Sequence, residues 1–388
     1  MTGVHHLVVG PPGHGVVRYA ELLLAAAQVP PGEVHRLPRR VGADDLPALV
    51  AGLDGLDAAV VDPALGAADV AAGTAAGPTV APARVHLHVT DHLLGRSPEE
   101  AMGVVEALAR RGPVSLTLHD LPQASDGTPA ARRRACYAGL AGAAVGVVVS
   151  SEHEAALLAA VTAGTPAAAT PVRVVPLAVP PPGPSPVVAP DPGGQGGAPD
   201  AASPSAGASE ADQGTPGRQV AVLGWVYPGK GHAEVLAALD GLPADVGLRV
   251  LGGASPGHED LLDDLAGRAR ASGRPLVVDG WVDDAHLPAL LRAVDVPVFA
   301  PRHVSASASL TAWLSAGRRP VTVRSRYTEE VDRRAPGGLL LVDDDPAALA
   351  DGVRRALDDP TITRLDPGAP VGPGPAEAAR LTLAGWPS

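Results

Sequence analysis

The chain has very little lysine, cysteine or aromatic content. One cysteine, Cys136, and one lysine, Lys230, occur among 388 residues, and aromatic residues make up 2% of the sequence. A single cysteine excludes an intramolecular disulfide framework and a cysteine-rich zinc site, and it favours a reducing, cytoplasmic compartment. With so few aromatic residues, we expect a core built from Val, Leu and Ala.

Long apolar runs and an excess of positive charge are also missing. No uninterrupted run reaches the roughly 20 residues of a membrane span, and the start of the chain lacks the basic region of a signal peptide. The formal net charge of -12 argues against a nucleic-acid partner. The arginine run 132–134 predicts a solvated face, and peripheral contact with anionic lipid or an acceptor phosphate is the alternative.

The sequence does contain a regular alternation of short apolar runs and helix-like segments. This rhythm is typical of parallel strands joined by helical crossovers. Helices are predicted at 98–111 and 152–163. The predicted strands are 6–9, 58–61, 85–89, 114–118, 145–149 and 172–175 in the first half, and 220–223, 248–251, 275–278, 296–300, 320–323 and 339–342 in the second.

Residues 180–217 interrupt this alternation, because Pro, Gly, Ser and Ala dominate there. Such a segment cannot bury enough apolar surface to offset its ordering entropy, so it predicts a flexible linker or loop. It separates two predicted Rossmann-like, doubly wound α/β domains, 1–179 and 218–360, followed by a tail, 361–388. Two such domains are expected to face each other across a cleft, with ligands at the carboxyl ends of their strands.

Lys230 lies where a predicted strand breaks into a Gly/Pro turn, and the other 29 basic residues of the chain are arginine. An ammonium group is a compact, strongly hydrated point charge, unlike the planar guanidinium. This makes Lys230 a candidate phosphate ligand. The alternative is chance, since turns are exposed and one lysine must lie somewhere.

Two other groups of polar or flexible residues follow predicted strands. Gly10, Gly13 and Gly15 precede a helix, where glycines let backbone N–H groups approach a charged or sugar ligand; a plain tight turn is the alternative. His119 and Asp120 follow an apolar strand, which brings a titratable ring to its carboxyl end. Here the alternative is a hydrogen-bonded histidine with Asp120 as a cap.

His86 and His88 are two residues apart, so they share one face of a predicted strand. This spacing is able to bind zinc, as in metal-dependent hydrolases. No carboxylate or third histidine is placed beside them by the sequence. The pattern therefore favours the polar lining of an acceptor pocket over a metal site.

Taken in order, these motifs resemble those of the GT-B glycosyltransferases, in particular the retaining nucleotide-sugar enzymes of family four. The resemblance runs through most of the chain, at 10–22, 116–122, 147–154, 172–179, 224–231, 251–253, 278–282, 287–298 and 327–331. It implies a GT-B fold whose tail packs back on the N-terminal domain. It also implies transfer of a hexose from a nucleotide diphosphate sugar to a hydroxyl acceptor, with retention and without a tightly bound cofactor or metal.

The resemblance further implies a role for each matching residue. Lys230 would stabilise the leaving diphosphate, and His119 would orient the sugar rather than act as a base. Donor diphosphate binding would fall to Lys230, Gly229 and Gly13. Contacts with the sugar or the acceptor would fall to His14, Gly15, His88, Asp120 and Glu330.

Two departures from the family pattern concern the donor site. Trp225 stands where the family has a phosphate-binding arginine, and no glutamate stands at either position of the family's glutamate pair. A serine-rich helix start replaces that pair. Its Ser307 and Ser309, with free N–H groups, are candidates for diphosphate binding or for ordinary helix capping. The candidate replacements for the missing cation are Arg302, Arg318 and Arg319.

Two alternative functions remain open at this stage. The missing glutamates and arginine favour a non-catalytic GT-B homologue that binds a nucleotide sugar or a protein partner. The histidines of the third predicted strand favour instead a metal-dependent hydrolase that uses His86 and His88.

Overall fold

The computed structural model describes residues 4–41, 84–123, 126–181 and 217–385. The chain forms two compact units, Met1–Ala178 with Pro373–Ser388, and Val179–Gly372. The predicted strand 58–61 and nearly all of the predicted linker 180–217 lie outside the described residues. Among the residues that are described, no helix is long and apolar enough to cross a membrane.

The N-terminal unit contains a parallel sheet with the strand order β2-β1-β3-β4-β5-β6. Its central strands are buried on both faces, as expected for a sheet covered by helices. The strands are β1 (Val4–Val9), β2 (Val34–Leu37), β3 (Arg84–Val89), β4 (Val114–Leu118), β5 (Gly146–Val149) and β6 (Val172–Val174).

Five α-helices accompany this sheet in the described residues: α1 (Gly15–Ala26), α2 (Pro98–Ala109), α3 (Ala130–Ala143), α4 (Glu152–Thr162) and α11 (Pro375–Thr382). Ser97 and Ser151 cap α2 and α4 by accepting a hydrogen bond from a backbone N–H three residues on. The last helix, α11, belongs to this unit although it comes at the end of the chain. Its Ala378 and Ala379 pack in one apolar cluster with Leu23 of α1.

The C-terminal unit contains a second parallel sheet, with the order β12-β11-β10-β7-β8-β9. Its strands are β7 (Arg218–Leu223), β8 (Val246–Leu251), β9 (Leu276–Val278), β10 (Val296–Phe299), β11 (Val321–Val323) and β12 (Leu340–Val342). Its helices are α5 (His232–Ala238), α6 (Glu259–Ala271), α7 (Leu287–Ala293), α8 (Ala308–Ser315), α9 (Arg326–Arg334) and α10 (Pro346–Asp358).

The direction of strand addition reverses once in each described sheet. In the first sheet β2 and β3 flank β1 on opposite sides, and in the second sheet β8 and β10 flank β7. Ligands of open α/β sheets bind at the carboxyl ends of the strands at such a reversal. The candidate residues follow these strands: the glycine loop follows β1, and the Lys230 turn follows β7.

The predicted α/β class with two Rossmann-like units is confirmed, and the predicted strands within the described residues are present to within two residues at each end. The strand β2, Val34–Leu37, was not predicted. Its sequence VHRL mixes polar and apolar side chains, and its burial is correspondingly partial. A short strand of this kind has no continuous apolar run by which to be identified.

Candidate functional site

The turn that carries Lys230 is made of glycines in the left-handed region of backbone space. After β7 ends, Gly224 has a φ of 116°, Gly229 of 81° and Gly231 of 101°. A side chain at Gly231 would also overlap the backbone carbonyl of Ala300, which follows β10. The turn is therefore held against the neighbouring strand end, and only glycine meets both requirements.

This turn places the Lys230 ammonium in a buried position with few polar partners. The residue is 7% exposed, and its Nζ donates to Ser309 Oγ at 3.0 Å. The same nitrogen lies 5.8 Å from the ring centre of Phe299 and 5.9 Å from that of Tyr227. Burial lowers the pKa of Lys230 to about 8, since desolvation disfavours the charged form. No ion pair to Lys230 is formed by the described residues.

Ser307 and Ser309 lie at the amino end of α8. Ser307 is its N-cap and accepts from Leu310 N at 3.4 Å, and the hydroxyls of Ser307 and Ser309 are 2.9 Å apart. The N–H of Ser307 donates to the Tyr327 hydroxyl at 3.1 Å. Ser307 is thus an ordinary cap, while Ser309 connects the helix start, with its orphan N–H groups, to the ammonium. Helix starts of this kind attract anions.

The side chains of the three candidate arginines contact other groups of the protein. Arg318 is buried and donates to the carbonyls of Leu291, Arg292, Val294 and Asp295 and to Thr363, so it anchors the end of α7 instead of replacing a phosphate ligand. Arg319 Nη2 reaches the Leu339 carbonyl at 3.5 Å. The Arg302 backbone N–H donates to Gly229 O at 2.8 Å, but its side chain pairs with Glu234.

Two further predicted donor-site positions have distinct surroundings. Glu330 on α9 is buried and forms an ion pair with Arg334 one turn later. Trp225, which follows Gly224 directly, is 45% exposed. Its ring centre lies 6.1 Å from that of Trp281. An exposed indole therefore occupies the place of the family's arginine.

The histidine predicted at the end of β4 is part of a ring cluster in the N-terminal unit. His119 Nε2 lies 3.2 Å from His88 Nδ1, and the two rings stack at 5.4 Å. Tyr19 of α1 packs edge-on against both rings at 5.9 Å. Burial first, and then the nearby His14, lower the pKa of His119 to about 4, and burial also lowers the pKa of His88. Both imidazoles are neutral at pH 7 and act as hydrogen-bonding groups.

The segment after His119 is fixed by Arg133, and here the predicted solvated face at 132–134 is wrong for one residue. Arg133 is buried and donates to Asp91, Asp126 and both the carboxylate and the carbonyl of Asp120. Asp120 itself has a φ of 54°. Because Arg133 lies on α3, its guanidinium ties that helix to the ends of β3 and β4. Arg132 is exposed, as expected.

Tyr137, one turn beyond Arg133 on α3, gives a second tie to the same strand end. Its hydroxyl donates to the His119 carbonyl at 2.6 Å. The position of the His119 ring is thus set by backbone contacts on one side and by His88 and Tyr19 on the other.

The glycine loop follows β1 and leads into α1. His14 is the N-cap of α1, and its Nδ1 accepts from Val16 N at 3.2 Å. Gly13 and Gly15 have open space where a side chain would begin. The steric need for glycine falls on Gly10, with a φ of 124° and a Leu93 methyl 2.7 Å from an added Cβ. Gly13 and Gly15 therefore leave the loop backbone accessible without being required by the fold.

His86 is engaged by its own strand neighbours. Its Nδ1 lies 2.9 Å from Ser115 Oγ and its Nε2 lies 3.0 Å from Thr117 Oγ1, so both ring nitrogens have hydroxyl partners. Within the described ranges, one group of three potential metal ligands comes together: Asp91, His92 and Asp120. Arg133 already forms ion pairs with both of those carboxylates, and His86 and His88 are not part of this group, so the described residues give no geometric support for a metal-dependent hydrolase.

The sequence interpretation missed several residues of these two strand ends. Tyr19, Arg133 and Tyr137 surround the His119 segment, and Trp281 packs beside Trp225. Each lies far from its partner in the sequence or on a helix whose inward face is not evident. The scarcity of aromatic residues was the one available signal for Trp225 and Trp281.

Comparison with solved structures identifies known proteins of similar fold. The Anabaena protein HepE (Alr3699), crystallised with UDP-glucose, matches with a TM-score of 0.62 and 13% identity over 98% of this chain and 94% of its own. Sucrose-phosphate synthase from Thermosynechococcus elongatus matches with a TM-score of 0.57 and 16% identity, over 98% and 92%. OtsA without ligand gives 0.57 and 14%, over 98% and 95%.

These likenesses span nearly the full length of each chain, so they define the fold class. The protein has the GT-B fold, with two Rossmann-like units. No protein-family model and no curated protein matches the sequence.

Proposed function

We propose that this protein is a glycosyltransferase that moves a hexose from a nucleotide diphosphate sugar to a hydroxyl acceptor, with retention at the anomeric carbon. The observation that carries the proposal is the buried ammonium of Lys230 beside the start of α8. HepE, which has the same fold, is crystallised with UDP-glucose. The C-terminal unit accordingly takes the donor, and the nucleotide diphosphate sugar is a co-substrate instead of a bound cofactor.

Lys230 has the chemistry that departure of a diphosphate requires. When the bond between the anomeric carbon and the phosphate oxygen breaks, negative charge grows on the leaving group. A desolvated ammonium, with the hydroxyl of Ser309 and the N–H groups at the start of α8, stabilises that charge in a preorganised way. The acceptor oxygen bonds to the anomeric carbon, and its proton passes to the leaving phosphate oxygen.

His119 and His88 fit a positioning role toward the sugar or the acceptor. A ring whose pKa is about 4 is a weak base at neutral pH, so it does not deprotonate a hydroxyl efficiently. It does offer one donor and one acceptor for sugar hydroxyl groups. Asp120 follows β4, and His14 with the accessible backbone at Gly13 and Gly15 follows β1, which lies on the other side of β3 in the sheet.

The second candidate function is a non-catalytic nucleotide-sugar binder. It is favoured by the absence of a carboxylate paired with Lys230 in the described part of the chain and by the engagement of Glu330 with Arg334. Both candidates require diphosphate binding, but only the transferase requires turnover. Incubation with a nucleotide sugar, alone and with hydroxyl acceptors, separates them by the release of nucleoside diphosphate.

The proposal is tested by ligand binding to the full chain. A thermal-shift screen with UDP, GDP, ADP and their hexose derivatives identifies the donor, because a ligand of the folded state raises its melting temperature. Lys230→Ala is expected to weaken binding of that nucleoside diphosphate by about 1.5–3 kcal/mol, the scale of a hydrogen bond to a charged group, and to leave nucleoside binding unchanged.

Two control variants make the result specific. Lys230→Met keeps the apolar stem and removes the charge, so it should match Lys230→Ala, whereas Lys230→Arg should retain part of the affinity. Equal losses for nucleoside and nucleoside diphosphate would contradict the assigned role of the ammonium. A parent protein that binds none of the nucleotides would contradict the proposed function itself.

A further inference from the structure

The C-terminal unit exposes three of the aromatic side chains of this aromatic-poor chain. The sequence has nine aromatic residues, and three of them, Trp225, Tyr227 and Trp281, are 45%, 39% and 57% exposed. All three lie in the segments that follow β7 and β9. Large apolar side chains gathered at one exposed place mark a binding surface more often than single exposed residues do.

The two tryptophans form one aromatic surface. Their ring centres are 6.1 Å apart and their planes are inclined by 36°. A side chain at Gly253 would begin 3.7 Å from the Trp225 ring and 3.9 Å from the Gly280 backbone. Small residues after β8 and β9 thus let the Trp225 indole lie low over the backbone at the ends of three adjacent strands. Each indole is about half exposed.

This surface begins next to the phosphate-binding candidate. A Cβ added to Gly224 would lie 3.1 Å from both Cε and Nζ of Lys230, and Trp225 is the next residue in the chain. The Lys230 ammonium therefore lies beside Gly224, the residue that directly precedes the exposed indole of Trp225. A ligand that satisfies both groups carries a phosphate and, close to it, a flat ring.

We propose that Trp225 and Trp281 stack against the nucleobase of the nucleoside diphosphate whose phosphates bind Lys230. This inference rests on the proposed function, since it names the part of the donor that the exposed surface recognises. Stacking uses the face of the base, which every nucleobase presents, and it is therefore tolerant of base identity. The tryptophan in the place of the family's arginine exchanges a phosphate contact for a base contact.

Calorimetric titration of the full chain with UDP, GDP, ADP and inorganic pyrophosphate tests this assignment. Trp225→Ala and Trp281→Ala are each expected to weaken all three nucleoside diphosphates by about fivefold to a hundredfold, the range for loss of one base–aromatic stack. Pyrophosphate, which has no base, should bind these variants as it binds the parent. Lys230→Ala, in contrast, should strongly weaken the binding of pyrophosphate.

Conservative and matched variants separate stacking from damage to the turn. Trp225→Phe keeps a ring and should recover most of the affinity. Val172→Ala removes an exposed apolar side chain, 45% exposed, from the other unit and should change no affinity. If Trp225→Ala weakens the binding of pyrophosphate as much as that of the nucleoside diphosphates, the inference is overturned. That result would show that the indole stabilises the Lys230 turn and does not stack on the base.

The remaining outcomes distinguish this inference from the proposed function. If the parent binds nucleoside diphosphates and both tryptophan variants bind them equally well, the inference fails and the proposed function stands. The hexose derivatives of the three nucleoside diphosphates are titrated in parallel. If the variants lose affinity only for these derivatives, the surface stacks on the sugar and the nucleobase assignment is wrong. If the parent binds no nucleoside diphosphate, both proposals fail together.

Discussion

In the N-terminal unit the polar groups at the ends of β3 and β4 bond to one another, whereas in the C-terminal unit the described partners of Lys230 are one hydroxyl and two aromatic rings. His88 bonds to His119, and Arg133 joins Asp91, Asp120 and Asp126. Lys230 carries a charge that its surroundings desolvate without neutralising. The same topology therefore presents an internally hydrogen-bonded polar surface in one unit and, in the described part of the other, a cation without a paired carboxylate.

The difference teaches how one type of strand end serves two ligand chemistries. Neutral imidazoles with fixed partners suit the hydroxyl groups of a sugar, because they exchange one hydrogen bond for another without changing charge. A desolvated ammonium suits an anion, because binding supplies the missing counter-charge where water is excluded. The experiments below test each side of this comparison, from the largest expected effect to the smallest.

Arg133→Leu should remove the hydrogen bonds that hold together the segments following β3 and β4 in the N-terminal unit. It leaves three carboxylates without their shared cation, one of them the buried Asp91, and breaking a buried ion pair from one side costs about 3–5 kcal/mol. Urea unfolding measures the loss. Arg132→Leu, whose ion pair with Glu99 is exposed, should cost less than about 1 kcal/mol. Similar losses for the two variants would show that Arg133 organises nothing.

Gly231→Ala should disturb the turn that holds the Lys230 ammonium. The new side chain combines a φ of 101° with overlap of the Ala300 carbonyl, and we expect a loss of about 3 kcal/mol in unfolding free energy. Gly257→Ala is the matched control, with a φ of 83° and open space for a Cβ, and should lose about 1 kcal/mol. Chemical denaturation of both variants measures whether the contact with the Ala300 carbonyl lowers the unfolding free energy beyond the cost of the positive φ.

The affinity for a nucleotide sugar should depend on pH through Lys230. Its pKa is about 8 in the free protein, and a bound diphosphate would raise that pKa toward the ordinary value. Affinity is therefore level below about pH 8 and falls above it, by up to about tenfold per pH unit. His232, whose pKa burial and Lys230 lower to about 3, is neutral throughout this range.

Titration calorimetry between about pH 7 and pH 10 measures this fall. A nucleotide sugar is the suitable ligand because its diphosphate has no terminal phosphate group to titrate. Lys230→Arg keeps its charge across the range and should give a level profile. An unchanged fall in that variant would assign the effect to another group.

His119→Leu should have the smallest effect on ligand binding. It should weaken the contact with the sugar and leave the contact with the nucleotide unchanged. Loss of one neutral hydrogen bond is expected to weaken the nucleotide sugar by about 0.5–1.5 kcal/mol and to leave the nucleoside diphosphate unchanged. Because the pKa of His119 is about 4, this difference should stay constant from neutral pH down to about pH 5. A difference that appears only as the ring becomes protonated near neutrality would contradict a neutral positioning role.

Within the described residues, the sequence was sufficient to predict every strand except β2, because the other strands are rich in Val, Leu and Ala. Val220–Leu223, the buried part of β7, is an example. It was also sufficient to place His119 and Lys230 after such strands, since the end of an apolar run is a local feature. Their roles toward ligands remain predictions.

Other features depend on contacts between distant residues, which no local pattern reveals. Arg133 lies between the exposed Arg132 and Arg134, yet its guanidinium donates to Asp91, 42 residues away. Glu330 matches the glutamate of a family motif in the sequence, but its carboxylate forms an ion pair with Arg334 of the same helix. Trp225 and Trp281 are brought together only by the order of β7, β8 and β9 in the sheet.

The position of α11 has a consequence for biosynthesis. Ala378 and Ala379 complete an apolar cluster with Leu23 and Val148, and Arg173 binds the carbonyls of Leu381 and Ala384. The first unit therefore depends on a helix that is synthesised only after the whole of the second unit, which is contiguous in the chain. Until that helix has been made, the apolar cluster around Leu23 stays incomplete.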